Sequence, residues 1–85
     1  MPPAVLSDFE IEILDFEREW LQGPGAKEQA IRTQFALSAA RYYQVLGRLI
    51  ETPAALAYDP LLVRRLLRQR DERRGTRAAR TRPID

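Results

Sequence analysis

The 85-residue sequence predicts an all-α fold, on three observations. Apolar residues recur at spacings of three and four, Ser, Asp and Thr stand at the starts of those runs with Pro or Glu beside them, and no stretch shows the alternation of a half-buried strand. The expected architecture is a small four-helix domain over about 7–22, 26–35, 38–51 and 60–74, followed by a disordered basic tail. Residues 1–75 form the folded unit and 76–85 the arginine-bearing tail. At 9.8 kDa, with 45% hydrophobic positions, the chain has one modest core and no room for a multidomain enzyme.

The first helix opens at Ser7, whose hydroxyl suits the Glu10 amide while Glu10 reaches back to the Ser7 amide, with Leu6 and Ile11 as a hydrophobic staple. Phe9, Ile13, Phe16 and Trp20 follow at helical spacing as its inward stripe, and Glu10, Glu12, Glu17 and Glu19 fill the expected surface. Gly23-Pro24-Gly25 stops it near Gln22. The second helix, 26–35, turns Ala30, Ile31 and Phe35 inward. After Ala36-Leu37-Ser38, Ser38 caps a third helix with Tyr42, Val45, Leu46 and Leu49 on its inner side. Thr52-Pro53 ends it and is fit to begin a short helix. Asp59-Pro60 opens the fourth, with Leu62, Val63, Leu66 and Leu67 inward and Gly75 as its expected C-terminal stop.

Cysteine and histidine are both absent, which removes disulfides, thiolate chemistry, imidazole bases and most transition-metal sites. The charges are segregated. Residues 1–31 carry seven acids against two bases, a net of −5, and residues 32–85 carry twelve bases against five acids, a net of +7. The densest run, Arg64 to Arg82, holds nine arginines and two acids. Such a half suits phosphates or an acidic surface. Thirteen of the fourteen bases are arginine, the side chain that grips phosphate or guanine with two parallel hydrogen bonds.

Within this pattern the segment AIRTQFALSAARYYQVLGRLI, residues 30–50, places a helix, a three-residue turn and a second helix at helix-turn-helix spacing. The run QFALSAARYYQVLGRL resembles the C-terminal DNA-binding domain of bacterial sigma factors, whose motif reads roughly RFGVSRERVRQIEAR. Phe35, Leu37, Ser38, Arg41, Gln44 and Arg48 coincide with it in type and spacing, over about a quarter of the chain. Two positions depart: Ala36 replaces the turn glycine, and Arg32 replaces the small residue one turn earlier, so that its side chain must snorkel outward or the helices splay. The stretches ILDFEREW, GAKEQAI, RYYQVL, TPAALAYDP and LLVRRL together resemble a small actinobacterial family of uncharacterised proteins. That second resemblance implies a cytoplasmic life and supplies no activity.

Helical spacing opposite the buried stripe puts Ala40, Tyr43, Gln44 and Gly47 towards a major groove, flanked by Arg41 and Arg48. The expected nucleic-acid-binding set is therefore Ser38, Arg41, Tyr43, Gln44, Gly47 and Arg48 on the third helix, with Arg64, Arg65, Arg68 and Arg73 on phosphates. Ala39 and Ala40 occupy leading positions where sigma factors carry charges, so sequence preference should be shallow and affinity should come mainly from arginine.

The acids of the first helix read as a solvated face, a partner surface or an internal guard over the arginines, since no ligand loop accompanies them. Phe9, Phe16 and Trp20 read as core, and Ser7 and Ser38 as caps with no base to activate them. Neither a catalytic site, a cofactor, a metal nor a small-molecule substrate is expected. The longest apolar run is too short to span a bilayer, and Met1-Pro2-Pro3-Ala4 is not a signal sequence, so a cytoplasmic and, on DNA, nucleoid-associated protein is expected. Duplex DNA is the expected partner of this transcription-associated reading. The alternative is a module that binds RNA polymerase, a sigma factor or another transcription protein without reading DNA; structured RNA is a third possibility.

Overall fold

The computed structural model describes the backbone of residues 5–20 and 24–81, with side chains over 5–20 and 25–73. All regular structure among them is helical: α1 (Asp8–Glu19), α2 (Pro24–Phe35), α3 (Ala39–Leu49), α4 (Pro53–Tyr58) and α5 (Pro60–Thr81). The all-α class stands. The short helix α4 makes five helices where four long ones were expected.

The boundaries follow from local chemistry. Ser7 Oγ accepts from the Glu10 amide at 3.1 Å and Glu10 Oε1 accepts from the Ser7 amide at 2.8 Å, the reciprocal cap read from the sequence. Thr52 bridges two helices, its Oγ1 donating to the Leu49 carbonyl and accepting from the Ala55 amide. Asp59 Oδ1 accepts from the Leu62 amide at 3.2 Å and so caps α5. α1 ends earlier than expected, at Glu19, because Trp20 turns to extended backbone while its ring stacks on Phe16 at 5.2 Å; Leu21, Gln22 and Gly23 lie outside the described residues. Pro24 is the first residue of α2, where its missing N–H costs nothing.

At the other end α5 continues through the expected stop at Gly75 to Thr81, so residues 76–81 of the expected tail are helical backbone. A glycine inside a helix costs only about 1 kcal/mol relative to alanine, and the flanking arginines and alanines are strong helix formers. No proline intervenes before Pro83, which with the rest of residues 82–85 lies outside the described residues.

α2 packs on α3, α4 on α5, and α1 on α5. Their shared core holds Ile13, Leu14, Ile31, Tyr42, Leu46, Leu49, Ile50, Ala55, Leu62, Val63 and Leu66, most of them from the expected inward stripes. The rings of Phe9, Phe16, Phe35 and Tyr42 meet edge-to-face or tilted at 5.4–6.0 Å, gathering α1, α2 and α3 around one aromatic cluster. Phe9, expected inside, sits at its margin with 42% of its surface exposed.

Glu17 overturns the reading of α1 as a purely solvated acidic face. It is buried, accepting from the Tyr42 hydroxyl of α3 through Oε2 and from Lys27 Nζ of α2 through Oε1 at 2.9 Å. Helical geometry explains the position. A residue four after Ile13 lies on the arc between Ile13 and Leu14, and both of those are fully buried. Burial, with Glu17 as hydrogen-bond acceptor, pushes the Tyr42 hydroxyl far above the usual phenol range, so it stays a neutral donor.

A second network ties the far side: Tyr58 donates to Asp15 Oδ1 at 2.7 Å, and Arg18 reaches both Asp15 at 3.0 Å and Asp59 at 3.4 Å. The Arg18 guanidinium is raised above its ordinary value by the carboxylate of Asp15 first, and the Tyr58 phenol likewise by its hydrogen bond to Asp15. These pairs are exposed and add little stability. Glu17 is different, because removing it strands a mostly buried ammonium and a buried hydroxyl. Glu17→Ala should lower unfolding free energy by about 3–5 kcal/mol, while Asp15→Ala should cost about 1 kcal/mol or less; urea denaturation of both variants checks the contrast.

Candidate nucleic-acid interface

The turn that orients α3 is Ala36-Leu37-Ser38. Ala36 adopts a φ of 56°, the sole positive φ outside glycine among the described residues, and its amide donates to the Arg32 carbonyl at 3.0 Å. A left-handed alanine costs about 1–2 kcal/mol, since its Cβ crowds the following carbonyl. The chain thus keeps a glycine-type turn without the glycine. Leu37 packs against the core, and Ser38 Oγ accepts from the Arg41 amide at 3.2 Å, setting the first turn of α3. Arg32 is exposed, the outward alternative of the two expected.

With Tyr42, Leu46 and Leu49 buried, α3 turns its opposite side to solvent. Ser38, Arg41, Tyr43, Gln44 and Arg48 are exposed and Gly47 is half-buried; Gln44, Gly47 and Arg48 lie opposite the buried stripe, while Arg41 and Tyr43, two residues apart, stand on its opposite flanks. Arg41 Nη1 donates to Gln44 Oε1 at 3.3 Å, which aligns the two polar heads side by side. A Cβ built on Gly47 would meet nothing within 4 Å, so packing inside this chain does not demand glycine. Tyr43 stands edge-on to Tyr42 at 5.2 Å, with Lys27 Nζ 5.4 Å from its ring centroid.

On α5, Arg64, Arg65, Arg68 and Arg73 are exposed and make no ion pair among the described residues. Arg70, which the sequence groups with them, is held instead by Glu51 at 2.7 Å and ties α5 to the end of α3. Leu61 is 79% exposed beside Arg65 and Arg68, in a cleft that also includes Arg18 and Asp59. Sequence reasoning missed Lys27. As the chain's lone lysine it offered little pattern, yet it stands between the buried carboxylate of Glu17 and the exposed ring of Tyr43.

No group of three or more acidic side chains among the described residues could hold a metal ion. Nor is any helix among them long and apolar enough to cross a membrane.

Comparison with known families places residues 5–78 in a protein family of unknown function, DUF3263. The chain belongs to the DUF3263 family. No curated protein and no solved structure matches it. The family match spans all five helices as far as the distal turn of α5, so the buried Glu17, the Ala36 turn and the exposed side of α3 lie within the region this DUF3263 member shares with its family.

The strained turn has a direct consequence. Ala36→Gly removes the left-handed Cβ penalty and should raise unfolding free energy by about 1 kcal/mol, a gain of about 4–8 °C in Tm for a domain of this size. Scanning calorimetry of the variant against the parent checks it.

Proposed function

We propose that the chain is a small helix-turn-helix protein that binds nucleic acid, in the first place duplex DNA, and acts in the cytoplasm as a transcription-associated factor with shallow sequence preference. One observation carries this reading: the left-handed turn at Ala36 and the Ser38 cap begin α3, on which Arg41, Tyr43, Gln44 and Arg48 are all exposed. In this reading Gln44 offers its carboxamide to adenine, Arg41 and Arg48 meet guanine or phosphate, and Gly47 lets the helix backbone approach the groove closely. Arg64, Arg65, Arg68 and Arg73 supply charge to phosphates and most of the affinity.

Fluorescence anisotropy with a random duplex across a salt series tests it. The expected slope of log affinity on log salt is negative with magnitude roughly 4 to 6, the release expected for several neutralised phosphates. Arg41→Ala with Gln44→Ala should weaken binding and flatten preference among sequences; unchanged affinity would remove α3 from the interface. Gly47→Ala sharpens the test, because it should stabilise the helix by about 0.5–1 kcal/mol while weakening binding. A variant that is both more stable and equally tight would show that no backbone approaches α3 there.

A second reading, an interaction module for RNA polymerase, a sigma factor or another transcription protein, draws on an apolar cleft of about 350 Å³ lined by Val5, Leu6, Ile11, Ala54, Ala57 and Tyr58. Val5 is 74% exposed there, a side chain with surface to spare for a partner. Capture from nuclease-treated lysate separates the two readings: recovered protein that survives digestion belongs to the module, and recovery lost on digestion belongs to nucleic acid.

A further inference from the structure

We propose that the polar cleft where the end of α1, the first turns of α2 and the middle of α5 meet is a phosphate-binding site. The cleft encloses about 230 Å³ and is lined by Glu17, Trp20, Lys27, Arg65, Leu66 and Gln69. Four of these are donors. Arg65 is exposed, carries no ion pair among the described residues and presents a guanidinium fork. Lys27 spends one N–H on Glu17 and keeps two more. Gln69 adds a carboxamide. Trp20 Nε1 is buried without a hydrogen-bond partner among the described residues, a state that leaves a desolvated donor in want of an acceptor.

The charges select the ligand. Two cations face one carboxylate, and both oxygens of that carboxylate already accept, one from Lys27 and one from Tyr42. A cation is repelled from such a cleft and a neutral ligand leaves the guanidinium unanswered. A tetrahedral oxyanion in this cleft has the guanidinium, the ammonium and the carboxamide as donors, with the Trp20 ring in the lining, and has more oxygens to offer them than a planar carboxylate.

The site stands on the chemistry of the cleft alone. Where the nucleic-acid reading of α3 also holds, the phosphate is a backbone phosphodiester, since Lys27 lies 5.4 Å from the ring centroid of Tyr43 on α3 and so joins the two surfaces. Otherwise the source is free phosphate or a small phosphorylated molecule.

The chain has one tryptophan, so a nitrogen-15 spectrum of the full protein carries one indole N–H resonance that reports on the cleft directly. Titration with inorganic phosphate, against chloride at matched ionic strength, should move that resonance along a saturating curve with phosphate only. Arg65→Gln, an exposed substitution that leaves the fold intact, should weaken the phosphate response by roughly tenfold or more. An indole resonance that stays still, that moves equally with chloride, or that titrates unchanged in Arg65→Gln overturns the proposal. A short DNA duplex forms the second arm. A shift of the same resonance, reversed by competing phosphate, identifies the backbone as the source. A phosphate response with no duplex binding upholds the site while the nucleic-acid reading falls; duplex binding that leaves the indole untouched upholds the site as one for free phosphate or a small phosphorylated molecule where phosphate still moves the resonance, and overturns it where phosphate does not.

Discussion

The structure turns on a buried carboxylate held by two other helices. Glu17 is taken inside by the helix it belongs to, and each of its oxygens is answered by a different helix, the hydroxyl of Tyr42 from α3 and the ammonium of Lys27 from α2. A buried charge tolerates few arrangements, because losing either partner restores its desolvation cost without compensation. The distance and rotation of α2 and α3 relative to α1 are therefore tied to one side chain. The aromatic cluster packs around that point, with Phe16, Phe35 and Tyr42 each within 6 Å of another ring centroid, and supplies apolar surface beside the pair.

The outward surface of α3 is a consequence of that anchoring. Tyr42 fixes which side of α3 faces in, so Arg41, Gln44 and Arg48 face out, and the turn before it must reverse the chain within three residues. Ala36 accepts a left-handed backbone to do so. The strain is held by a cap on one side and by Leu37 packed on the core. Local preference yields there to a tertiary demand, the pattern expected where a geometry matters more than a kilocalorie.

Charge segregation also acquires a structural explanation. Part of the acidity of the N-terminal half is consumed inside the fold: Asp15 holds Arg18 and Tyr58, and Glu17 holds Lys27 and Tyr42. Of the arginines on α5, Arg70 is likewise consumed by Glu51, whereas Arg64, Arg65, Arg68 and Arg73 face solvent. Among the described arginines of the run, one is a strut and the other four are surface. Their shared sequence context conceals the division, since only the approach of the α3 end to α5 distinguishes them.

The sequence by itself determined the helical class, the caps at Ser7, Ser38, Thr52 and Asp59, the inward stripes of α3 and α5, and the outer positions of α3. Each of these depends on groups within about four residues, the reach of a helical turn or a capping hydrogen bond. Gly75 failed as a stop for the same local reason, because one glycine is a weak penalty between arginines before it and arginines and alanines after it. Only the tertiary structure decided that Glu17 is internal, that Lys27 and Trp20 share a cleft with Arg65, and that Arg70 is bound. The partners of Glu17 lie ten and twenty-five residues away, and an acid on a helix is written the same way in sequence whether water or a tyrosine awaits it.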